Sequence, residues 1–177
     1  MKNKFTIILL LFSFVNVVNF TTIPTFAEEK PTPISEEKRG LISQNCGTIR
    51  QSLKNLQRAD SRARTYFGAI YETVSSKYIT PLNLRLVKNN LSSNSLISLQ
   101  TNIADTRTKF SSDFIDYSKS LEELITFDCR LNPDEFYSKL VTTRKKRETV
   151  ASDVKKLNDL LISSVKIVEQ IKEKTND

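Results

Sequence analysis

The sequence predicts an all-α protein, namely an elongated antiparallel three-helix up-down-up bundle with coiled-coil-like seams and one disulfide bond. Three long segments repeat apolar residues at alternating spacings of three and four, which is the period of one face of an α-helix. Turn-forming residues are scarce, because the 177 residues include 3 glycines and 5 prolines. This scarcity argues against a fold rich in strands and turns.

Residues 1–27 have the pattern of a cleavable signal peptide, so we expect an exported protein. Lys2 and Lys4 precede an apolar stretch, residues 5–20, and residues 25–27 place small side chains at a cleavage site. The apolar stretch is shorter than the roughly 20 residues that span a bilayer. An uncleaved N-terminal anchor is therefore the less favoured alternative to a periplasmic, cell-surface or secreted protein.

Residues 28–34 are expected to form an extended tether, because Pro31 and Pro33 disfavour a helix there. Residues 35–177 would then form a single helical-bundle domain. Ser35 is a candidate N-cap of the first helix, with acidic residues in the following turn. The predicted core positions of this helix are Cys46, Ile49, Leu53, Leu56, Asp60, Ala63, Phe67, Ile70 and Val74.

Residues 80–95 form the one broad helix-breaking region, which begins at Thr80 and Pro81. Its leucines fit the alternation of a strand as well as one face of a helix. We interpret the stretch as a kinked continuation of the first helix or a short separate helix, because a lone strand would have no partner. The asparagines Asn89 and Asn90, with the polar residues after them, are expected to supply the turn.

The second and third helices continue the same spacing. The second runs to about Cys129, and its predicted core positions are Leu96, Leu99, Ile103, Thr106, Phe110, Phe114 or Asp113, Tyr117, Leu121 and Leu124. Asn132 and Pro133 are a typical N-cap and first residue of a helix, so the third helix should begin there. Its predicted core positions are Phe136, Leu140, Thr143, Arg147, Val150, Val154, Leu157, Leu161, Ser164, Val168 and Ile171.

Cys46 and Cys129 are predicted to form a structural disulfide, since thiols of an exported chain meet an oxidising compartment. They stand at matched ends of the first two helical patterns, and a chain that runs up one helix and down the next brings them together. A zinc site is excluded by the absence of histidine. A redox pair would normally be closer in sequence.

Two charged residues, Asp60 and Arg147, interrupt the apolar patterns of the first and third helices. If the disulfide and the turn at Asn132 set the register, the two fall in one layer, with Asp113 and Asp116 of the second helix close by. We interpret this polar layer as a register-setting ion pair. The alternative is that Arg147 extends into solvent and Asp60 faces water.

Six basic residues are expected at the height of the same layer. A functional interpretation makes them a belt that binds an anionic polymer, whereas the alternative is a solvated face that nearby acids neutralise. The six residues of this basic belt are Arg58, Arg62, Arg64, Arg144, Lys145 and Lys146.

No pattern for catalysis is present, because the chain lacks histidine, a nucleophile elbow and a glycine-rich phosphate loop. We therefore expect no enzyme activity, cofactor, metal or small-molecule substrate. The favoured function is a non-catalytic binding or scaffolding module at the cell envelope or surface, with an anionic envelope polymer or a protein as partner. The alternative function is an exported holdase-type chaperone.

Two parts of the chain, from Cys46-Gly47-Thr48-Ile49 to Lys88 and from Cys129 through Asn132-Pro133-Asp134-Glu135-Phe136-Tyr137, resemble small exported helical proteins of reduced-genome bacteria. The shared features are cysteines, a turn and an apolar pattern, and the group has no assigned function. The resemblance implies a bacterial, extracytoplasmic setting and nothing about chemistry.

Overall fold

The computed structural model describes residues 34–91 and 94–176, which are helical apart from short connections and contain no strand. The elements are α1 (Glu36–Thr73), a π-helical segment (Val74–Ile79), α2 (Thr80–Lys88), α3 (Asn94–Thr126) and α4 (Pro133–Asn176). The predicted all-α class is confirmed. The predicted signal peptide and nearly all of the predicted tether lie outside the described residues. Among the described helices, none is sufficiently long and apolar to cross a membrane.

The start of α1 is capped and also fastened to the start of α4. The Ser35 hydroxyl accepts a hydrogen bond from the Lys38 amide, as an N-cap does. The Ile34 amide and the Arg39 Nε both donate to the Asp134 carboxylate, at 3.2 and 2.8 Å. Because Asp134 lies in the first turn of α4, these contacts hold the beginnings of two helices together.

Pro81 does not end the first helical segment, because a π-helical stretch precedes it. Val74 and Thr80, the residues at the two ends of that stretch, both have right-handed helical backbone angles, so α1 passes into α2 without a break. The Thr80 amide donates to the Ser75 carbonyl, five residues back. Pro81 then lies in the first turn of α2, where a missing amide hydrogen costs little. The prediction was a kinked continuation or a short separate helix, and the helical conformation that both share is confirmed for Thr80–Lys88.

The turn after α2 forms at the predicted asparagines. Asn90 has a φ angle of 56°, a left-handed conformation that asparagine tolerates better than most residues. The Asn90 amide donates to the Val87 carbonyl at 3.1 Å and the Leu91 amide to the Leu86 carbonyl at 2.8 Å. These two bonds form a Schellman motif, which satisfies the last carbonyls of α2.

The core is built mainly around α3. All nine predicted core positions of this helix are buried, with Phe114 rather than Asp113 at the ambiguous one. In contrast, α1 buries four of its 38 residues, whereas α3 buries ten of 33. Much of the predicted core face of α1 is therefore only partly buried or exposed, and surface depressions lie along this helix.

The predicted disulfide is confirmed, because Cys46 and Cys129 are bonded with their Cα atoms 5.6 Å apart. Both cysteines are buried within the larger apolar cluster. One turn beyond Cys46, the Arg50 guanidinium donates to the Phe127 carbonyl at 3.0 Å. The covalent bond thus attaches α1 to the connection that follows α3. A second cluster, Ile79, Leu86, Leu96, Leu99 and Ile103, forms the core where α2 turns into α3.

Candidate functional site

An ion pair and a tyrosine join three helices at one point. Arg147 of α4 donates to Asp60 of α1 through both Nε and Nη2, to Oδ2 at 2.8 Å and to Oδ1 at 2.9 Å. This two-bonded arrangement is the strong geometry for a guanidinium and a carboxylate. The Tyr117 hydroxyl of α3 donates to the same Asp60 Oδ2 at 2.6 Å. Asp60 therefore accepts hydrogen bonds from two different helices.

The environment keeps Asp60 ionised. Burial raises the pKa of Asp60, but the hydrogen bonds from Arg147 and Tyr117 outweigh it, so the pKa lies below its ordinary value. The hydrogen bond to Asp60 raises the pKa of Arg147, and burial followed by the Asp60 hydrogen bond raises the pKa of Tyr117. A carboxylate, a guanidinium and a neutral phenol thus coexist over the ordinary pH range.

The predicted polar layer is corrected in its membership and in its burial. Asp113 lies one turn before Tyr117 on α3 and pairs with Lys109 instead. Asp116 is exposed, and its side chain makes no ion pair or hydrogen bond within the described part of the chain. Tyr117 takes their place, because its long side chain reaches Asp60. The Arg147 side chain is 50% exposed and that of Asp60 18%, so the layer is half open.

A second charged cluster, which the sequence-based prediction did not include, lies between α3 and α4. Lys109 contacts Asp113 on its own helix and both carboxylate oxygens of Asp153 on α4, at 3.0 and 3.2 Å. Burial raises the pKa of Asp153 against the opposing effect of Lys109, whereas the Lys109 hydrogen bond lowers the pKa of Asp113. The spacing of Val150, Asp153 and Leu157 is a core spacing, so the sequence did contain a signal for this buried acid.

The six residues of the basic belt form no ion pair among the described residues, whereas the alternative interpretation has nearby acids neutralise them. Asp60 is occupied by Arg147, and Asp113 by Lys109. All six lie at most four residues from Asp60 or Arg147 in sequence, or about 6 Å along a helix axis. Their positive charge is therefore concentrated at one height and is not balanced by salt bridges.

The belt does not form a single face, because its members border separate depressions. Arg58 borders a depression of about 440 Å³ between α1 and α3. Arg144 borders one of about 510 Å³ between α1 and α4. Arg64 lines a third cavity, which lies between α1, α3 and α4. A rigid, flat partner could contact only part of this set, whereas a flexible chain could follow it around the molecule.

The third cavity, of about 270 Å³, lies directly beside the Asp60–Arg147 pair. Its walls are largely apolar and aromatic, and its polar groups come from Asp60, Arg64, Tyr117 and Arg147. The Arg64 guanidinium is 4.8 Å from the centroid of the Phe114 ring, a cation–π contact that positions it at the cavity. Within residues 34–91 and 94–176, no group of His, Cys, Asp or Glu is arranged to hold a metal ion.

The comparisons with known proteins were negative at every level. No protein-family model, curated protein or solved structure matches this chain.

Proposed function

We propose that the protein is a non-catalytic exported binding or scaffolding module of the cell envelope or surface, which engages an anionic polymer through its basic belt. Its architecture would be the elongated antiparallel up-down-up bundle with coiled-coil-like seams that the sequence predicts. The resemblance to small exported helical proteins of bacteria supports the same setting.

The pairing of residues between helices supports the proposed architecture. Between α1 and α3, together with the connection that follows α3, the partner number falls as the first number rises, from Cys46–Cys129 through Asp60–Tyr117 to Glu72–Arg107, as in antiparallel neighbours. Between α1 and α4, the contacts Asp60–Arg147 and Tyr71–Asn158 keep a separation of 87, as in parallel neighbours, and Ser43–Arg130, in the connection just before α4, has the same separation. With 44 residues, α4 is about 66 Å long, which suits an extended binding surface.

The observation that carries the proposed partner is the unpaired charge of the belt. Six cations lie at one height without salt bridges to the described acids, so an anionic chain can contact them without first breaking an ion pair. Their placement around α1 and α4 suits a flexible polymer more than a compact ligand. Binding that depends on such surface charges is screened over roughly 8 Å at physiological salt, so it must weaken as salt is added.

Two charge-neutralising pairs on α4 test the belt. Lys145→Gln with Lys146→Gln should lower the affinity for a soluble polyanion, such as polyphosphate, by about ten-fold or more, and salt should weaken wild-type binding steeply. The matched control is Lys156→Gln with Lys166→Gln, an equal loss of charge at two exposed lysines of the same helix that lie outside the belt and form no ion pair among the described residues. Fluorescence anisotropy measures both. Equal losses in the two variants, or binding that is insensitive to salt, would contradict a specific belt.

The exposed apolar side chains favour the second candidate function, a holdase-type chaperone. Large apolar residues such as Tyr66, Ile115 and Leu131 are exposed among the described residues, and a holdase needs accessible apolar surface. A hydrophobic-dye assay combined with light scattering of a heat-denatured client separates the two functions. Suppressed aggregation of the client by the protein without polyanion would favour the chaperone over the polymer-binding module.

A further inference from the structure

The segment in which α2 turns into α3 is basic and contains no acidic residue of its own. From Glu72 to Asp105 the sequence contains no other aspartate or glutamate, whereas Lys77, Arg85 and Lys88 lie within that span. All three cations are exposed, and none forms a salt bridge among the described residues. The charge that this segment contributes is therefore of one sign, whereas α4, whose Ile167 and Ile171 pack at the same end, brings Glu169 and Glu173 there.

The same end exposes a group of large apolar side chains. Leu84, the most exposed of the aliphatic ones at 66%, lies one helical turn before Val87 on α2. Leu91 follows at the Schellman turn, and Ile97 lies in the first turn of α3; both are exposed. We call these four residues, with Arg85 and Lys88, the apolar–basic tip.

The tip is supported by a packed core, which holds in place the helices that carry its exposed side chains. Leu86 and Leu96, which alternate in sequence with the exposed residues, are buried together with Ile79 and Leu99. The Schellman hydrogen bonds close the end of α2. The exposed leucines thus point away from the core at an ordered helix end, because the core below them is already filled by the buried residues.

We propose that the apolar–basic tip docks on an anionic lipid surface, with its cations among the headgroups and Leu84, Val87 and Leu91 in the boundary between headgroups and acyl chains. Lysine and arginine interleaved with large apolar residues are typical of segments that lie in a membrane interface. Each cation near an anionic leaflet strengthens binding roughly five-fold.

Lipid fits this tip better than the other candidate occupants do. A second copy of the chain, joined tip to tip, would bring Arg85 and Lys88 of one copy against the same cations of the other, which opposes association. A soluble polyanion would use the cations but leave the leucines in water. The belt at Asp60 lies 24 residues from Leu84 along the helical path, or about 36 Å, so the two surfaces are separate and can be tested independently.

Vesicle co-sedimentation tests the proposal with the chain that begins at Glu28, which contains the whole compact unit Pro31–Asp177. The protein should bind vesicles that contain phosphatidylglycerol more strongly than vesicles of phosphatidylcholine alone. Arg85→Gln with Lys88→Gln should lower partitioning about 25-fold, at five-fold for each charge. Leu84→Gln with Val87→Gln should lower it about ten-fold or more, because these side chains no longer enter the interface.

Exposed residues outside the tip provide the controls. Ile115→Gln with Leu131→Gln removes comparable apolar side chains, and Lys145→Gln with Lys146→Gln removes two charges from the belt. Both variants should retain vesicle binding within about two-fold, because the substituted residues lie outside the tip. Circular dichroism checks the fold of each. Three results would overturn the proposal: equal binding to both vesicle types, loss in the belt variant but not in the tip variants, or a tip-dependent dimer in lipid-free sedimentation, which would identify a second copy as the occupant.

Discussion

Asp60, Tyr117 and Arg147 depend on one another for satisfied hydrogen bonds, although each comes from a different helix. Asp60 is largely enclosed, and the Tyr117 side chain that donates to it is buried. Removing one partner of a fully buried pair typically costs about 3 to 5 kcal/mol. Because the Arg147 side chain is half exposed, we expect smaller effects here, since water can replace part of what is lost.

A double-mutant cycle tests the coupling of Asp60 and Arg147. Asp60→Leu and Arg147→Leu should each lower the free energy of unfolding by about 2 kcal/mol, because each leaves a polar group without its partner. The double replacement should recover at least about 1 kcal/mol of the summed loss. Urea unfolding measures all four proteins. Purely additive losses would mean that the pair contributes no coupling to the fold.

Tyr117→Phe provides the matched control for that cycle, because it removes only the hydroxyl. In the wild-type background it should cost about 1.5 kcal/mol, the lower end of the range for a hydrogen bond to a charged group, because the site is partly wet. In the Asp60→Leu background the cost should vanish, since the acceptor is gone.

The two enclosed acids should respond to pH with opposite signs. Asp60 has a pKa below its ordinary value of 3.8, so its contribution to stability is present above pH 3.8 and is lost as the pH falls through its lowered pKa. Burial raises the pKa of Asp153, so its ionised form costs stability, and that cost grows as the pH rises from 3.8 through its raised pKa.

Asparagine variants distinguish the two opposite pH dependences of the free energy of unfolding, which urea unfolding measures at about pH 3 to 7. Asp60→Asn should be less stable than the wild type at neutral pH and should approach it in acid. Asp153→Asn should be at least as stable as the wild type at neutral pH, with no advantage below pH 3.8. A neutral-pH loss in Asp153→Asn as large as that in Asp60→Asn would show that Lys109 outweighs burial at Asp153.

At the scale of whole helices, α1 is the element that depends most on a covalent bond. It buries few residues, whereas α3 is the centre of the core. The disulfide joins α1 to the connection that follows α3 and closes a loop of 83 residues. Its loss should therefore affect α1 more than the α3–α4 pair.

Cys46→Ala with Cys129→Ala tests this dependence. Loop-closure entropy predicts a loss of about 4 to 5 kcal/mol in the free energy of unfolding. Hydrogen exchange followed by mass spectrometry should show faster exchange in α1 while α3 retains more of its protection, because elements with few buried contacts open first. A uniform increase along all helices would mean that α1 is held as firmly as the rest.

At the scale of the whole molecule, the proposed setting outside the cytoplasm rests on residues 1–27 and agrees with a disulfide, which persists in oxidising compartments. Intact-mass analysis of protein recovered from the envelope or medium should find a chain that begins near Glu28, with the disulfide formed. Small residues at positions 25 and 27 motivate this cleavage point. Recovered protein that still begins at Met1 would contradict cleavage and favour the uncleaved anchor.

The sequence by itself determined the features that depend on neighbouring residues. The Ser35 cap, the asparagine turn and the apolar positions of α3 follow from hydrogen bonds and side-chain spacing within a few residues, so they could be predicted. The cysteine pairing and the Asp60–Arg147 contact could also be predicted, because both depend only on the register of long regular helices.

Only the tertiary structure decided which side chains complete the site. Tyr117 rather than Asp113 or Asp116 reaches Asp60, Asp153 is buried beside Lys109, and α1 leaves a cavity beside Arg64. These outcomes depend on the rotation of each helix, the length of each side chain and the closeness of the packing. A helical period predicts which face of a helix is turned inward, but neither the distance to the facing helix nor the side chain that spans it.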